Sequence, residues 1–424
     1  MGSIPESASR IVHLTKVLSQ TVADLERVLA EHGQPTPSFD ADSPTPFPTE
    51  TDDLRDTALD AAAEIYDLLM EPMALLYKKT GHNNMICLQT ITRFKIASMI
   101  PADGKVSFAE IAAQIDGLSE QMVCRMLRHA MTLRVFREPT PGMVAHTRAS
   151  KALTHPIMNA WLRNGSHEMW PAAVKMLDAL QKWPDSSEPS QTGFALANGQ
   201  EASAFEIIGS DPERAARFAT AMSIYATKPE YSAAFLTDHY DWASLGPGQV
   251  VAVGGASHLQ VLIELARRFE NVEVTVQDAP PIVSQFVDAV PAELEGRLRL
   301  AAHDLFAPQS AHGDILLLRW TLHLWSNEYC KKILRAQIPA LGPNTRMIIQ
   351  DSCMPEPGTV ALWREQDLRA SDIHMANLFN GQERTVQEWK DLLKEADPRF
   401  VVQKVVEPKG SALGILEVVW RETE

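Results

Sequence analysis

The sequence lacks the features that direct a protein to nucleic acid, to a membrane or to an oxidising compartment. Lys and Arg total 39 against 54 Asp and Glu, so the net charge is −15 and nothing favours a polyanionic partner. No apolar run approaches the roughly 20 residues of a membrane span, and the N-terminus has no apolar signal core. The cysteines show no metal-binding spacing, which predicts reduced thiols in a cytoplasmic protein without a metal: Cys87, Cys124, Cys330 and Cys353.

Residues 250–278, VVAVGGASHLQVLIELARRFENVEVTVQD, have the pattern of a strand, a glycine turn, a helix and a second strand. Gly254 and Gly255 follow a β-branched run, and the second strand ends at Asp278. This predicts the opening βαβ unit of a doubly wound nucleotide-binding sheet, in which the acid takes a ribose hydroxyl. The glycine pattern is incomplete, since other residues follow the first pair: Ala256, Ser257 and His258.

The N-terminal part of the chain predicts a helical arm, a linker and a long helix. An apolar stripe at helical spacing covers residues 8–32, and a proline-rich polar stretch covers 33–50. The arm is therefore expected to pack on another part of the protein or on another subunit. A long amphipathic helix is predicted over 53–80.

Residues 91–148 predict a helix-turn-helix and a short strand pair, which together make a winged helix. Ser107 and Ser119 stand where two successive helices need N-caps. The pattern invites a DNA-binding interpretation, but acidic residues leave the second helix without a basic excess: Glu110, Asp116 and Glu120. We favour a dimerisation module that reuses the winged-helix shape.

From Gly248 onward the pattern alternates between strand and helix. The preceding stretch, 157–242, is predicted to be mostly helical, and its aromatic residues either line a pocket or belong to the core. The last two predicted strands have no full helix between them, so we predict an α/β fold with a mostly parallel, doubly wound sheet and an antiparallel edge hairpin. The predicted strands cover 250–253, 272–277, 298–301, 314–318, 345–350, 400–405 and 413–420.

Three segments of the second half resemble the plant and fungal small-molecule O-methyltransferases that use S-adenosylmethionine. GDILLLRWTLHLWSNEYCKKIL at 313–334 resembles their strand–histidine–helix segment, HDLFAP at 303–308 their strand-4 acid segment, and NGQERTVQEW at 380–389 their late glutamate motif. The resemblance covers residues 55–424 and implies a Rossmann-like methyltransferase domain, a winged-helix dimerisation domain and a homodimer. The implied boundaries are an arm and linker at 1–50, the dimerisation domain at 51–160 and the methyltransferase domain at 161–424, with a helical pocket insertion at 161–245.

The resemblance also implies roles for individual residues. His323 matches the family's general base, and Asp351 and Glu383 match the two acids that hold its imidazole. A histidine of near-neutral pKa can take a proton from a hydroxyl, while carboxylates fix its tautomer and stabilise its charged form. The family's cofactor positions fall on Gly254, Gly255, Asp278 (ribose), Asp304 and Leu305 (adenine) and Arg319. The positions facing an acceptor fall on His129, Met222, Tyr225, Thr227, Trp320, Met375 and Phe379.

The chain departs from the family at the cofactor turn and at the acceptor site. Ala252 replaces the strand-1 acid, and Ala256 and His258 replace two later glycines. Leu324 replaces the aspartate that follows the family's histidine, and an apolar side chain cannot hydrogen-bond a substrate hydroxyl. These departures indicate a degraded cofactor site. They are similar to a subgroup that kept the fold but changed the reaction, the fungal O-methyltransferase-like pericyclases of pyridone alkaloid pathways.

Three functions are therefore open. The favoured hypothesis is a pericyclase of fungal secondary metabolism, which dehydrates an alcohol of a polyketide-derived pyridone to a quinone methide and closes it by an Alder-ene or hetero-Diels–Alder reaction. Such a step needs positioning and a donor to a carbonyl, for which Thr227, Lys332 and His129 are candidates. The alternative is an active O-methyltransferase on a fungal phenol or enol, with His323 as base. The third is a non-enzymatic partner built on an inactive methyltransferase.

Overall fold

The structure, a computed structural model, describes residues 9–43 and 47–421. The chain divides into two units. The first contains the described residues up to Trp170 together with 216–221 and 357–367, and the second contains 171–215, 222–356 and the described residues from Leu368 onward. The first residue of the predicted arm and residues 44–46 of the predicted linker lie outside the described residues. The domain boundaries expected from the sequence stay a prediction.

Helices and one small sheet form the first unit. The strand order β1-β3-β2, antiparallel throughout, is the predicted wing. The elements are α1 (Arg10–Glu31), α2 (Asp52–Leu68), α3 (Pro72–Lys79), α4 (His82–Arg93), β1 (Lys105–Ser107), α5 (Phe108–Ala112), α6 (Glu120–Thr132), β2 (Arg137–Thr140), β3 (Met143–Ala145), α7 (Arg148–Ala152) and α8 (Pro156–Asn164).

Both predicted N-caps are confirmed. The Ser107 hydroxyl accepts the N–H of Glu110 at 3.1 Å, and the Glu110 carboxylate accepts the N–H of Ser107 at 2.8 Å, which is a complete capping box at the start of α5. Ser119 accepts the N–H of Met122 at 3.2 Å at the start of α6. Apolar residues of these helices and of the wing form one core, which includes Ile91, Ile96, Ile111, Val123, Leu127 and Phe136.

The single helix predicted over 53–80 is wrong, because the structure has two helices there, α2 and α3. Glu71 adopts an extended conformation (φ −61°, ψ 143°), and Pro72 is the first residue of α3. Proline has no N–H, and its ring disfavours a helical conformation of the preceding residue. The apolar periodicity continues across this break, so periodicity alone did not reveal it.

The second unit contains the alternating part of the chain. Helices α12 and α17 contribute residues to both units. Its elements are α9 (Trp170–Lys182), α10 (Gly193–Ala197), α11 (Ala204–Gly209), α12 (Pro212–Met222), α13 (Ala234–His239), β4 (Gly248–Val253), α14 (Leu259–Arg268), β5 (Val272–Asp278), α15 (Pro280–Phe286), β6 (Leu298–Ala302), β7 (Ile315–Arg319), α16 (Asn327–Gln337), β8 (Arg346–Asp351), α17 (Leu362–Phe379), α18 (Val386–Ala396), β9 (Phe400–Val406) and β10 (Gly414–Trp420).

The predicted α/β fold class is confirmed by a seven-stranded sheet of order β6-β5-β4-β7-β8-β10-β9. Strands β4 to β8 are parallel to one another, whereas β10 runs antiparallel to both β8 and β9. The chain proceeds from β4 to β5 on one side and reaches β7 on the other. The carboxyl end of β4 is therefore the switch point where sheets of this kind bind ligands.

The central strands are buried on both faces, as their apolar runs predict. In β4, Val250 and Ala252 pack in the core on one face, and Val251 and Val253 pack in the core on the other. Strand β7 alternates in the same way. Within the described residues, no helix combines the length and the apolarity that a membrane crossing requires.

Candidate active site

His323 lies in a tight segment directly after β7. It is the middle residue of a 3-10 turn, Leu322–Leu324, and is buried. Its Nδ1 lies 3.0 Å from Oε1 of Glu383. Because a carboxylate can only accept, this contact places a proton on Nδ1 and leaves Nε2 free to accept one.

Asp351 supports the same histidine through the backbone. It is the last residue of β8, and its Oδ2 accepts the backbone N–H of His323 at 3.3 Å. The two groups meet because β7 and β8 are parallel neighbours whose carboxyl ends share one edge of the sheet. The resemblance implies that both acids hold the imidazole. In the structure the hydrogen bond to the ring comes from Glu383, whereas Asp351 binds the backbone of the loop and acts on the ring through its charge.

The segment that carries Glu383 is held close to the His323 loop. A Cβ on Gly381 would lie 2.3 Å from the carbonyl oxygen of His323, so only glycine fits there. The N–H of Gln382 donates to that same oxygen at 3.0 Å. The hydroxyl of Ser371 donates to Oε1 of Glu383 at 3.2 Å.

The pKa values of the three ionisable side chains in this cluster are shifted in different directions. Burial alone would lower the pKa of His323, but the charge of Asp351 and the hydrogen bond to Glu383 outweigh it and hold that pKa above its ordinary value. Burial acts to raise the pKa of Glu383, yet the bond to His323 holds it below its ordinary value. At Asp351 burial prevails and raises the pKa to about 6. Glu383 is therefore the carboxylate that stabilises a protonated imidazole.

The glycine turn after β4 is closely packed. Gly254 has a φ of +72°, and a Cβ there would lie 3.0 Å from Cγ2 of Thr321. A Cβ on Gly255 would lie 3.1 Å from Cβ of Ala252. The N–H groups of both glycines donate to the carbonyl oxygen of Gln277, at 2.9 and 3.1 Å. The backbone conformation thus favours glycine at Gly254, and close side-chain packing favours it at Gly255.

Asp278 ends β5 beside this turn. Its Oδ2 accepts the N–H of Ala256 at 3.1 Å, and its Oδ1 accepts the N–H of Ala279 at 2.9 Å. Burial raises the pKa of Asp278 against these two hydrogen bonds. The carboxylate is half-buried at the switch point, which is where a ribose hydroxyl binds in sheets of this kind.

An aromatic cluster extends from the glycine turn to His323. Trp320 has a φ of +49°, which is uncommon for a bulky residue. Its ring stacks on His323 with 5.3 Å between centroids and on Tyr231 with 4.7 Å, and it meets Tyr225 edge-on at 4.7 Å. The His258 ring lies 5.8 Å from Trp320, and burial lowers the pKa of His258 to about 3. His258 is therefore neutral at physiological pH.

Comparison with known proteins identifies the family. A family model described as an O-methyltransferase dimerisation domain matches residues 80–156, and one described as an O-methyltransferase domain matches residues 180–398. O-methyltransferase PaMT of Phomopsis amygdali is 40% identical over 418 residues, which are 98% of this chain and 97% of that protein. The chain belongs to the O-methyltransferase family. Chlorophenol O-methyltransferase of Trichoderma longibrachiatum is 33% identical over 427 residues, covering 98% of this chain and 91% of that protein.

Solved structures share this O-methyltransferase fold at low identity. OxaC in complex with sinefungin and meleagrin has a TM-score of 0.76 at 20% identity, covering 96% of this chain and 99% of that one. LepI in complex with SAM has a TM-score of 0.70 at 20% identity, covering 95% of this chain and all of that one. Another neighbour, described as a pericyclic reaction enzyme, has a TM-score of 0.71 at 20% identity, covering 95% of this chain and 100% of that one. The predicted family is confirmed, and the dimerisation-domain match supports the predicted homodimer.

The turn of this O-methyltransferase fits the nucleoside part of S-adenosylmethionine. Gly254 and Gly255 keep the backbone bare of side chains, and the half-buried carboxylate of Asp278 lies beside them. Asp304 is exposed after β6, and its Oδ1 accepts the N–H of Phe306 at 3.0 Å. Leu305 packs at the edge of one core. The carboxylates of Asp278 and Asp304 can therefore accept hydrogen bonds from hydroxyl groups of the cofactor, and Leu305 offers an apolar surface for its adenine base.

Arg319, which the resemblance places at the cofactor, is buried. Its Nη1 donates to Oε1 of Gln350, and its Nη2 donates to the carbonyl oxygen of Tyr231 at 3.1 Å. Burial lowers its pKa to about 10. The side chain thus links β7, β8 and the segment at Tyr231. Its Nε has no hydrogen-bond partner among the described residues, and its cofactor role stays a prediction.

Two predicted carbonyl donors do not join the His323 cluster. Lys332 is exposed on α16, and its Nζ lies 4.0 Å from the centroid of the Tyr329 ring. Thr227 is exposed, and its hydroxyl donates to the carbonyl oxygen of Ile224 at 2.7 Å. The cation–π contact accounts for the position of Lys332, and the hydrogen bond to the backbone accounts for that of Thr227.

The remaining predicted pocket residues lie at several places. His129 is on α6 in the first unit, where its Nε2 is 2.9 Å from Oδ1 of Asn84. Met222 and Met375 are half-buried, and Phe379 is buried against Phe205 with 5.1 Å between the ring centroids.

Two residues at the cluster were not predicted from the sequence. Tyr231 forms the outer layer of the stack on Trp320, and Arg384 directly follows Glu383 and is completely buried. Only the second had a signal, since Arg384 is part of the quoted NGQERTVQEW motif.

Proposed function

We propose that this chain transfers a methyl group from S-adenosylmethionine to a hydroxyl group of a small fungal secondary metabolite, with His323 as the general base. One observation carries the proposal, the buried contact of 3.0 Å between Nδ1 of His323 and Glu383. Full-length relatives at 33–40% identity are named as O-methyltransferases, and one of them is named for chlorophenol. A phenol or enol is therefore the acceptor class we propose.

The residues of the chain supply the acid–base part of this reaction. With Nδ1 protonated and bound to Glu383, Nε2 of His323 takes the hydroxyl proton of the acceptor, and the resulting imidazolium is stabilised by that carboxylate. Asp351 keeps the backbone of His323 in place at 3.3 Å. Leu324 offers no hydrogen bond, so orientation of the acceptor relies on shape and on the rings around Trp320.

Gly254, Gly255 and Asp278 would hold the cofactor. Asp304 and Leu305 would contact its adenine base. When bound, S-adenosylmethionine supplies an electrophilic methyl group on a positively charged sulfur. His258 is neutral, because burial lowers its pKa to about 3, and so it does not repel that charge. The aromatic faces of Trp320 and Tyr231 are surfaces that attract cations.

The test is incubation of the full-length protein with S-adenosylmethionine and a panel of phenols that includes a chlorophenol. We expect a product whose mass rises by one methyl group, and we expect His323→Gln to lower kcat by about 100-fold or more. An exposed histidine, His312, provides the matched control, and His312→Gln should leave turnover unchanged. If His323→Gln turned over as fast as the wild type, His323 would not be the general base.

A second function is favoured by the departures at the site. Ala252 and Leu324 stand where the family has two acidic residues, and the His258 ring, 5.8 Å from that of Trp320, follows the glycine turn. These features support a pericyclase, in which His323 assists loss of water from an alcohol and the resulting quinone methide closes without a methyl donor. A degraded cofactor site belongs to this second proposal.

One titration separates the two proposals. In calorimetry with S-adenosylmethionine, micromolar binding supports methyl transfer, whereas no heat at millimolar cofactor supports the pericyclase. The products differ in the same way. Methyl transfer raises the mass of the acceptor only when cofactor is present, and dehydration lowers the mass by one water whether or not cofactor is added.

A further inference from the structure

One buried arginine, Arg384, forms hydrogen bonds with the loop that carries His323. Arg384 has no exposed surface, and its Nη2 donates to the carbonyl oxygen of Trp325 at 2.9 Å. Its Nη1 donates to the carbonyl oxygen of Leu322 at 3.4 Å. These two carbonyls flank His323 on either side, so one guanidinium spans the turn that presents the imidazole.

The same guanidinium is tied to its own segment and to helix α16. Nη1 also donates to the carbonyl oxygen of Gln382 at 3.0 Å, one residue before Glu383. Nε and Nη2 donate to Oδ1 of Asn327 at 3.0 and 2.8 Å. All five N–H groups of Arg384 thus have oxygen partners, which is the condition for burying such a group without a large cost.

The charges around the histidine fit this arrangement. His323 faces Asp351 from β8, Glu383 and Arg384 from the late segment, and His258 from the glycine turn. The positive charge of Arg384 lowers the pKa of both His323 and Asp351. Arg384 therefore favours the ionised form of the Asp351 carboxyl and opposes protonation of His323, in both cases through its charge.

We propose that Arg384 is a positioning residue, whose planar guanidinium fixes the His323 loop against the segment of Glu383. The imidazole and its carboxylate partner then meet in one orientation. This inference rests on the proposed role of His323 as a general base. A lysine retains the charge but cannot make five hydrogen bonds to these four oxygens at once, so charge and geometry can be separated by substitution.

The experiment compares Arg384→Lys and Asn327→Ala with a matched control, Arg335→Lys. Asn327 is exposed, so its variant loosens the guanidinium with little risk to folding. Arg335 also lies on α16 and donates to two carbonyls, those of Ala396 at 2.7 Å and Glu395 at 3.1 Å, but these lie at the end of α18. The control thus removes a similar link without touching the His323 loop.

Two measurements are made on each variant. Steady-state kinetics with S-adenosylmethionine and the phenol found for the wild type give kcat and KM. Proton NMR of ¹⁵N-histidine-labelled protein follows the strongly deshielded Nδ1 proton of His323, which is assigned by its absence in His323→Gln. The NMR signal reports the hydrogen bond to Glu383 whether or not the protein transfers methyl groups.

We expect Arg384→Lys to lower kcat by about 100-fold with KM changed by less than about threefold, and to lose or broaden the Nδ1 signal. Asn327→Ala should act in the same direction by about tenfold. Arg335→Lys should keep both the signal and kcat, even if its Tm falls. A preserved Nδ1 signal in both Arg384→Lys and Asn327→Ala overturns the inference, as does a kcat loss that Arg335→Lys reproduces. If the wild type transfers no methyl group, the proposed function fails and the NMR result alone decides on Arg384.

Discussion

At the scale of the residue, the chemistry depends on which nitrogen of His323 is left free. Glu383 holds Nδ1 at 3.0 Å, while Asp351 binds the backbone N–H of the histidine instead of its ring. One carboxylate therefore sets the tautomer, and the other sets the position of the loop. Both acids raise the pKa of His323, Asp351 by its charge and Glu383 by its hydrogen bond, but only Glu383 also fixes the tautomer.

The pH–rate profile tests the role of Glu383. The hydrogen bond to Glu383 raises the pKa of His323, so Glu383→Gln should lower that pKa. The base must be neutral to take a proton, so the rate rises with pH through this pKa. In the variant the rise should begin at lower pH, and the maximal rate should fall by about 10- to 100-fold. Glu388→Gln, an exposed capping residue of α18, is the control. If the rate of Glu383→Gln rose over the same pH range as that of the wild type, Glu383 would not set the pKa of His323.

The side chain of His258 sets a second residue-scale prediction. Its neutral ring lies 5.8 Å from Trp320, beside the turn that we assign to the cofactor. Its φ of −111° does not require glycine, so His258→Gly should remove the ring without relieving backbone strain. We expect Kd for S-adenosylmethionine to fall by about tenfold in calorimetry, because space at the turn increases. His312→Gly serves as the control. An unchanged Kd in His258→Gly would show that the ring does not restrict the site.

At the scale of the element, the site is made where three chain segments end. Strand β7 leads into the His323 turn, β8 ends at Asp351, and the loop between α17 and α18 brings Glu383 to both. The loop approaches so closely that its backbone contacts the backbone of the turn at Gly381. The precision of the site thus depends on backbone packing as well as on side chains.

Gly381→Ala tests this close approach. The added Cβ would lie 2.3 Å from the carbonyl oxygen of His323, so the loop must move away and carry Glu383 with it. We expect kcat to fall by about tenfold or more, with a smaller relative change in KM. Gly209→Ala, at a position with open space around it, should leave kcat unchanged. Wild-type kinetics in Gly381→Ala would mean that the loop is not needed in this position.

The elements were predictable where the local pattern determines them. Apolar runs gave the central strands because both faces of β4 and β7 are buried, and Ser107 and Ser119 capped helices through local hydrogen bonds. The exposure of Lys332 on α16 was not predictable in this way, because the face that a helix buries depends on packing partners distant in sequence. Arg384 was overlooked for a similar reason. Nothing in the local sequence distinguishes an arginine at the surface from one that binds three oxygens distant in sequence, those of Leu322, Trp325 and Asn327.

At the scale of the whole molecule, the first unit carries apolar side chains that its own core does not cover. On α3, Met73 is 83% exposed and Leu76 is 70% exposed, and Tyr77 beside them is 67% exposed. Apolar patches of this kind mark interaction surfaces. These residues directly precede the stretch that matches a dimerisation domain, 80–156, so we expect a second copy of the chain to cover them.

A charge placed on this surface should therefore separate the dimer. We expect Met73→Asp combined with Leu76→Asp to reduce the mass measured by light scattering from about twice 47.0 kDa to 47.0 kDa. Burying an unpaired carboxylate in an apolar interface costs several kcal/mol, which a dimer cannot recover. Leu177→Asp, 72% exposed on α9 of the second unit, should leave the dimer intact. A dimer that persists in the double variant would place the interface elsewhere.

The position of β10 links the edge of the sheet to the candidate site. Strand β10 lies between β8 and β9, and its first residue, Gly414, pairs with Asp351 at the end of β8. If the β9–β10 hairpin opened, β8 would become an unpaired edge strand and Asp351 would lose its neighbour. Local unfolding of this hairpin should therefore disturb the candidate site while the parallel part of the sheet stays folded.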